Sequence, residues 1–150
     1  MADIKSPEER SRNMSAIRSK DTKPELYLRK LLFSNGLRYR KNVQKLPGCP
    51  DMYFAGYHAA IFVHGCFWHR HAGCKYAYTP KTRLEFWQQK FEANIRRDRI
   101  VHEKLAAMGI RSLVVWECTL REMKKEPNKE MSVISDILSF LDGTEFMKML

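Results

Sequence analysis

Apolar and polar positions alternate along the chain in a way that predicts eight elements in the order α-α-β-β-β-α-β-α. Pro7 to about Ile17 reads as a short helix with a thin stripe of Met14 and Ile17, too narrow to bury much. Thr22-Lys23-Pro24-Glu25 is a capping-box pattern. The helix it opens runs through Leu26, Leu28, Leu31, Leu32 and Phe33 and stops near Asn35-Gly36. Leu37 to Val43 alternates weakly and predicts a strand. A turn at Pro47-Gly48-Cys49-Pro50 leads into a second strand over Asp51–Ala55, and Gly56-Tyr57-His58 is a tight connection. Ala59 to Val63 is continuously apolar, as a central strand should be. Thr82-Arg83-Leu84-Glu85 predicts a second capping box, opening a long helix that ends near Met108-Gly109. Arg111 to Trp116 is a fourth, buried strand closed by Glu117-Cys118. A polar linker after Lys124 and an amphipathic helix with Val133, Ile134, Ile137, Leu138 and Leu141 complete the chain. Three meandering strands, a helix and a fourth strand make a mixed sheet flanked by helices, an α/β fold.

The length of 150 residues and 44% hydrophobic content suit one domain with an ordinary core. There is no apolar run long enough for a transmembrane helix, and Met1-Ala2-Asp3-Ile4-Lys5 has no signal-type apolar region. A cytoplasmic location is therefore expected. Lys and Arg number 27 against 17 Asp and Glu, a net charge of +10, which points to a polyanionic partner and in that compartment to nucleic acid.

Behind the third strand, His64, Cys66, His69, His71 and Cys74 crowd into eleven positions with Phe67-Trp68 between them. Cys66-x4-His71-x2-Cys74 gives three ligands in nine residues, and Cys118 can add a fourth. Three Cys and one His suit a closed tetrahedral zinc site of the structural kind, and clustered thiols in a reducing compartment favour metal over disulfides. Spacing leaves open which His binds and whether Cys49 stands in for Cys118. His71 has the more natural spacing to Cys74, and Cys49 is read as a free thiol.

Hydrolysis of a phosphodiester needs a hard cation and a group that deprotonates water. Asp51 suits magnesium, and a histidine, a residue type with a pKa near neutrality, can act as the general base, with His64 and His69 as the candidates. Asp51 and His64 stand at two neighbouring strand ends, so one hairpin can bring them together. Phe67-Trp68 cannot both face one core from a short loop and can wedge between base pairs. Trp87 fits a helix core by pattern.

Several of these residues belong to longer motifs: Arg12-Asn13-Met14-x-x-Ile17, Asp21-Thr22-x-x-Glu25, Leu46-Pro47-Gly48-x-Pro50-Asp51, Phe62-x-His64-Gly65-Cys66-Phe67-Trp68-His69-x-His71, Thr82-Arg83-x-Glu85-Phe86-Trp87, Asn94-x-x-Arg97-Asp98-Arg99 and Val115-Trp116-Glu117-Cys118. In these, over about residues 10 to 121, the chain closely resembles the very short patch repair (Vsr) mismatch endonucleases. The resemblance implies a restriction-endonuclease-like fold with a zinc-stapled loop. It also implies nicking of one strand of double-stranded DNA beside a T·G mismatch left by 5-methylcytosine deamination. By the family's motifs, Asp51 and the Val63 carbonyl would bind Mg2+. His69 would activate water, His64 would assist at the phosphate, and Glu25 would support the metal's water shell. Cys66, His71, Cys74 and Cys118 would hold Zn2+. Phe67, Trp68 and Trp87 would form a major-groove wedge, with Met14 and Ile17 on the minor-groove side of a clamp and Lys90 and Asn94 reading bases. The chain would be a single endonuclease domain with a DNA-clamping arm at about 1–20 and a helical extension at about 125–150. It would act as a monomer, linked functionally to a cytosine-5 DNA methyltransferase and mismatch-repair proteins. The alternatives are a restriction or homing endonuclease of the same fold, or a non-catalytic zinc-containing DNA-binding protein.

Overall fold

A computed structural model of the chain describes residues 21–150. The helix expected over Pro7–Ile17, the arm at about 1–20, and Met14 and Ile17 lie outside the described residues. The elements are α1 (Lys23–Ser34), β1 (Arg40–Lys41), β2 (Met52–Phe54), a 3-10 turn (Ala55–Tyr57), β3 (Ala59–His64), α2 (Leu84–Ala107), β4 (Arg111–Trp116), α3 (Glu117–Lys125), α4 (Pro127–Asp142) and β5 (Met147–Met149). The sheet runs β1-β2-β3-β4-β5. The first two pairings are antiparallel and the last two parallel. This is a mixed sheet flanked by helices, the restriction-endonuclease-like arrangement that the resemblance implies.

Strand alternation decides which side each residue serves. Ala59, Ile61, Leu113 and Val115 face one core, built with Leu28 and Leu32 of α1, Leu120 and Met123 of α3, and Val133, Ile134, Ile137, Phe140 and Leu141 of α4. Ala60, Phe62, Val114 and Trp116 face the other, with Leu105 of α2, Cys66 and Ile110. His64 has the parity of Ala60 and Phe62, so it emerges on the α2 side at the end of β3, paired in register with Trp116. Residues 127–149 are built into this frame. α4 fills one core, and β5 pairs with β4.

The structure departs from the predicted elements in several places. The strand expected over Leu37–Val43 is only Arg40–Lys41. Leu37 is taken up in closing α1, where its N–H donates to the Leu32 carbonyl (3.1 Å), and Asn42 turns left-handed at φ 47°, so regular pairing gives way to the bonds from the Asn42 and Val43 N–H groups to the Asp51 and Pro50 carbonyls. The second strand begins one residue after Asp51. The Thr82 cap is not formed. Arg83 stands before α2 at φ 55°, with no side-chain cap bond. Glu117–Lys125 forms a helix directly after β4, and a single residue, Glu126, separates it from α4. Its apolar positions fall on one face, with Leu120 and Met123 buried, but it spans only nine residues between β4 and α4. β5 is three residues long, too short for a periodic signal.

Candidate functional site

Thr22 caps α1 as expected, its Oγ1 accepting from the Glu25 N–H at 3.4 Å. Glu25 reaches back one residue further than a standard box, accepting from the Asp21 N–H at 2.7 Å. It is also 4% exposed, which its role as a cap does not require. The buried Arg29, one turn on, binds Glu25 Oε2 (3.2 Å), Asp21 Oδ1 (2.6 Å) and Asn42 Oδ1 (3.0 Å), and approaches the Asp51 carbonyl (3.4 Å). This network fixes the carboxylate of Glu25 beside Asp51.

Asp51 sits where β2 has not yet begun. Its Oδ2 accepts the Val63 N–H at 2.6 Å, a donor that β2 leaves free. The preceding turn needs Gly48. It stands at φ 74°, and a Cβ there would lie 2.5 Å from Val101 Cγ1 of α2. Burial pushes the Asp51 carboxyl up to about 7; the Val63 bond opposes this and the neighbouring Glu25 charge adds to it. Two crowded acidic oxygens beside a strand end are a donor set for a hard divalent cation, whose charge would let both ionise.

His64 and His69 stack with ring centres 3.8 Å apart and an 8° tilt. His69 Nδ1 lies 2.7 Å from Asp98 Oδ2 of α2. Burial, and then the neighbouring His69, pull His64 down to about 3, so it is neutral at ordinary pH. Burial acts to raise the Asp98 carboxyl, but the His69 bond and the surrounding imidazoles outweigh it and hold it below the usual carboxylate range. Glu25, Asp51, Val63, His64, His69 and Asp98 all line one cavity of about 460 Å³, with Cys49, Asn94 and Arg97 at its walls.

On the other side of the loop, Cys66, His71, Cys74 and Cys118 bring one ligand atom each to within 4.8 Å of one another. His71 stacks on Trp116 (ring centres 4.2 Å, 5°), and its Nδ1 is 3.4 Å from Cys118 Sγ. Burial pushes the Cys66 thiol up to about 12, so a thiolate there needs a cation beside it. The donor set fits a closed tetrahedral metal. Cys49 is exposed, outside this group and at the Asp51 cavity instead.

Phe67 and Trp68 join Trp87 and Phe91 of α2 in an aromatic cluster, with Phe67–Trp87 at 5.6 Å and Trp68–Trp87 at 6.0 Å between ring centres. Trp68 is exposed, and Trp87 is half-buried. Arg70 fastens the loop beneath them, donating to the carbonyls of Phe67, Ala77 and Tyr78 and lying 3.8 Å over the Phe91 ring. Lys90 is exposed near Trp68, and Asn94 Nδ2 donates to the Trp68 carbonyl at 3.0 Å.

Two residues of the site were not legible as such. Asp98 stands in an Arg-Arg-Asp-Arg run that reads as a solvated face, although it belongs to a motif. Arg29 is one of three cations in a leucine-rich helix, beside Lys30, and its pattern does not set it apart.

Residues 2–75 match the family described as DNA mismatch endonuclease Vsr. The chain is 45% identical over 125 residues to DNA mismatch endonuclease Vsr of Escherichia coli, covering 83% of this chain and 80% of the relative. It is 47% identical over 123 residues to the type II nicking enzyme V.XorIIP of Xanthomonas oryzae (82% and 90%). Against V.NmeAIP of Neisseria meningitidis the figures are 42% over 121 residues (81% and 86%). By likeness this extensive on both sides, the chain belongs to the Vsr family of DNA mismatch endonucleases.

Proposed function

We propose that this endonuclease nicks one strand of duplex DNA beside a T·G mismatch produced by 5-methylcytosine deamination, with Mg2+ at Asp51 and Val63. The observation that carries the reading is the single cavity in which Asp51, fixed by the Val63 N–H, faces the His64–His69–Asp98 group. The magnesium ion would supply charge for the phosphate oxygens and for the attacking water. Glu25, held by Arg29, would accept hydrogen bonds from that ion's water shell.

The histidines divide the remaining work. An ionised Asp98 can only accept a hydrogen bond, so the His69 proton sits on Nδ1 and leaves Nε2 as a base for water. Two stacked imidazoles cannot both carry charge at 3.8 Å. His64 remains neutral by burial, so the proton goes to His69, where Asp98 stabilises it. A neutral His64 can still donate a hydrogen bond to the scissile phosphate. Asp98→Asn offers a donor to Nδ1 and so stabilises the wrong tautomer. Single-turnover nicking should fall roughly 10²–10⁴-fold, the range for a misoriented general base, with DNA affinity by fluorescence anisotropy unchanged. An Asp98→Asn protein that nicks at the wild-type rate would remove His69 from the role of base.

Cys66, His71, Cys74 and Cys118 would hold a structural Zn2+ that keeps the loop rigid. Phe67, Trp68 and Trp87 form the ledge offered to the major groove, with Lys90 and Asn94 at its edge. Met14 and Ile17 would close on the minor groove from an arm at about 1–20 of a single 1–150 domain, with about 125–150 as its C-terminal part. Monomeric action is proposed, in step with a cytosine-5 methyltransferase and repair proteins. Among the described residues no helix is long and apolar enough to cross a membrane. The deciding experiment compares nicking of T·G and C·G duplexes of identical sequence in Mg2+. A preference of at least tenfold for T·G is expected. Equal rates would leave an endonuclease of this fold with another target.

A further inference from the structure

Arg97 is a cation that the reaction described above leaves without a task. Among the described residues it is the only Lys or Arg that lines the Asp51 cavity. It also lines a cavity of about 380 Å³ at the aromatic ledge, with Trp68, Trp87, Lys90 and Asn94. Lys90, Asn94 and Arg97 follow one another on α2 at spacings of four and three, so they share one helix face. A DNA strand whose bases meet the ledge therefore passes Arg97 before it reaches Asp51.

The neighbouring arginines are engaged elsewhere. Arg29 is bound to Glu25, Asp21 and Asn42, and Arg70 to three loop carbonyls. Arg99 lines a separate cavity on the β5 side and lies 4.0 Å from Glu103. Arg97 is exposed, and its guanidinium forms no ion pair among the described residues.

The charges of the cavity call for such a group. Glu25, Asp51 and Asp98 bring three carboxylates, of which one divalent ion offsets two, and His64 is neutral. The phosphate of the substrate adds a further negative charge. As the water oxygen bonds to phosphorus, its proton passes to His69 and the phosphoryl oxygens go from one negative charge to two. The bond from phosphorus to the sugar oxygen then breaks, and that oxygen takes a proton from solvent. A guanidinium keeps its charge throughout and offers two parallel N–H donors to two non-bridging oxygens. Its hold strengthens as their charge grows, which is what lowers a barrier.

We propose that the Arg97 guanidinium binds the non-bridging oxygens of the scissile phosphate and is a catalytic residue of nicking. The proposal rests on the reading of the Asp51 cavity as the reacting centre; it does not depend on the mismatch being T·G.

The test uses the full chain with its zinc, and duplexes in which one phosphate at a time is replaced by an uncharged methylphosphonate. The wild-type product first identifies the scissile phosphate. Single-turnover nicking at saturating protein should fall roughly 10²–10³-fold in Arg97→Ala, the range for removing one donor from a developing oxyanion. Arg97→Lys should recover at least about tenfold of that loss, since it keeps the charge without the fork. Contact with a flanking phosphate would instead weaken binding and lower its salt dependence by about one phosphate, with the saturated rate unmoved. Fluorescence anisotropy without Mg2+ then locates the contact. Methylphosphonate at the scissile position should cost the wild-type protein at least about threefold more affinity than it costs Arg97→Ala, the coupling expected of an exposed ion pair. At the phosphates on either side the two proteins should respond alike. An unchanged saturated rate in Arg97→Ala, coupling to a flanking phosphate, or coupling to none overturns the proposal. Equal nicking of T·G and C·G duplexes would fail the mismatch reading, and the same comparison would still decide Arg97. Undiminished nicking by Asp51→Asn would fail the cavity reading, and the Arg97 proposal with it.

Discussion

Asp51→Asn should melt at a higher temperature than the wild-type protein at pH 8 without divalent cation, while nicking at least about 10³-fold more slowly. The carboxyl is pushed up to about 7 from its usual 3.8, chiefly by burial and further by Glu25. Between those two pH values the folded chain holds a proton that the unfolded chain has released. Stability contributed by this group is therefore complete below about pH 4 and lost as pH rises through about 7. Above that, an ionised Asp51 lies buried against Glu25 at a cost of roughly 2–4 kcal/mol. Asn keeps an acceptor for the Val63 N–H and offers a donor to Glu25 with no charge to bury. At about 2–4 °C per kcal/mol for a chain of this size, the gain is roughly 5–10 °C. It should vanish near pH 4, where Asp51 is protonated, and shrink in Mg2+, which stabilises only the carboxylate form. The loss of nicking would follow from removing the charged ligand proposed for the cation, worth several kcal/mol to the developing phosphate charge. Thermal melts at pH 4 and pH 8, with and without Mg2+, check this. Identical melting of the two proteins at both pH values would show that Asp51 and Glu25 do not strain the fold.

That balance explains which parts of the molecule could be read in its residues. β3 is apolar through Val63 and β4 from Leu113 onward, both are largely buried, and the structure places both where expected. The Cys/His loop is legible because Cys66, His71 and Cys74 lie close in sequence, and the structure brings Cys118 to them because it follows β4, whose register ends beside β3. α3 is amphipathic but only nine residues long, and β5, at three residues, is too short to leave a periodic trace. Thr82 fails as a cap because Arg83 turns left-handed before α2, a backbone choice that the local pattern does not contain. Asp98 and Arg29 are the instructive cases. Each is a charged residue that a helix would ordinarily hold in water. Asp98 acquires its meaning from His69, 29 positions away, and Arg29 joins its near neighbours Asp21 and Glu25 to the distant Asn42 and the Asp51 carbonyl. Local sequence reports propensity well and long-range pairing poorly.

Cys118→Ser should lose its zinc and with it most nicking, although Cys118 lies apart from the Asp51 cavity. Between Gly65 and Arg83 only Cys66 is buried, so that loop has almost no core of its own. It carries both His69 and the Phe67-Trp68 ledge. Its fastenings are the Arg70 bonds to three carbonyls, the His71 stack on Trp116, the His69–Asp98 and Asn94–Trp68 bonds, the aromatic contacts with α2 and the four-ligand group. A structural zinc supplies on the order of 10 kcal/mol of binding free energy that doubles as folding free energy. The loop's other contacts are mostly part-exposed bonds worth about 1 kcal/mol each. The serine hydroxyl is a poor zinc ligand, and the remaining three groups cannot close the tetrahedron. Zinc content should fall well below one equivalent and nicking by at least about 10²-fold, the loss expected when a base is misplaced by an ångström. Hydrogen exchange should rise over residues 66–78 and stay unchanged in β3 and β4. Cys49→Ser, whose thiol is exposed on the Asp51 side, should retain zinc. The ligand assignment is overturned if zinc survives in the first protein and disappears from the second. If instead Cys118→Ser loses zinc but nicks normally, the staple is not what positions His69, and the Asp98 bond with the loop's contacts to α2 must hold it.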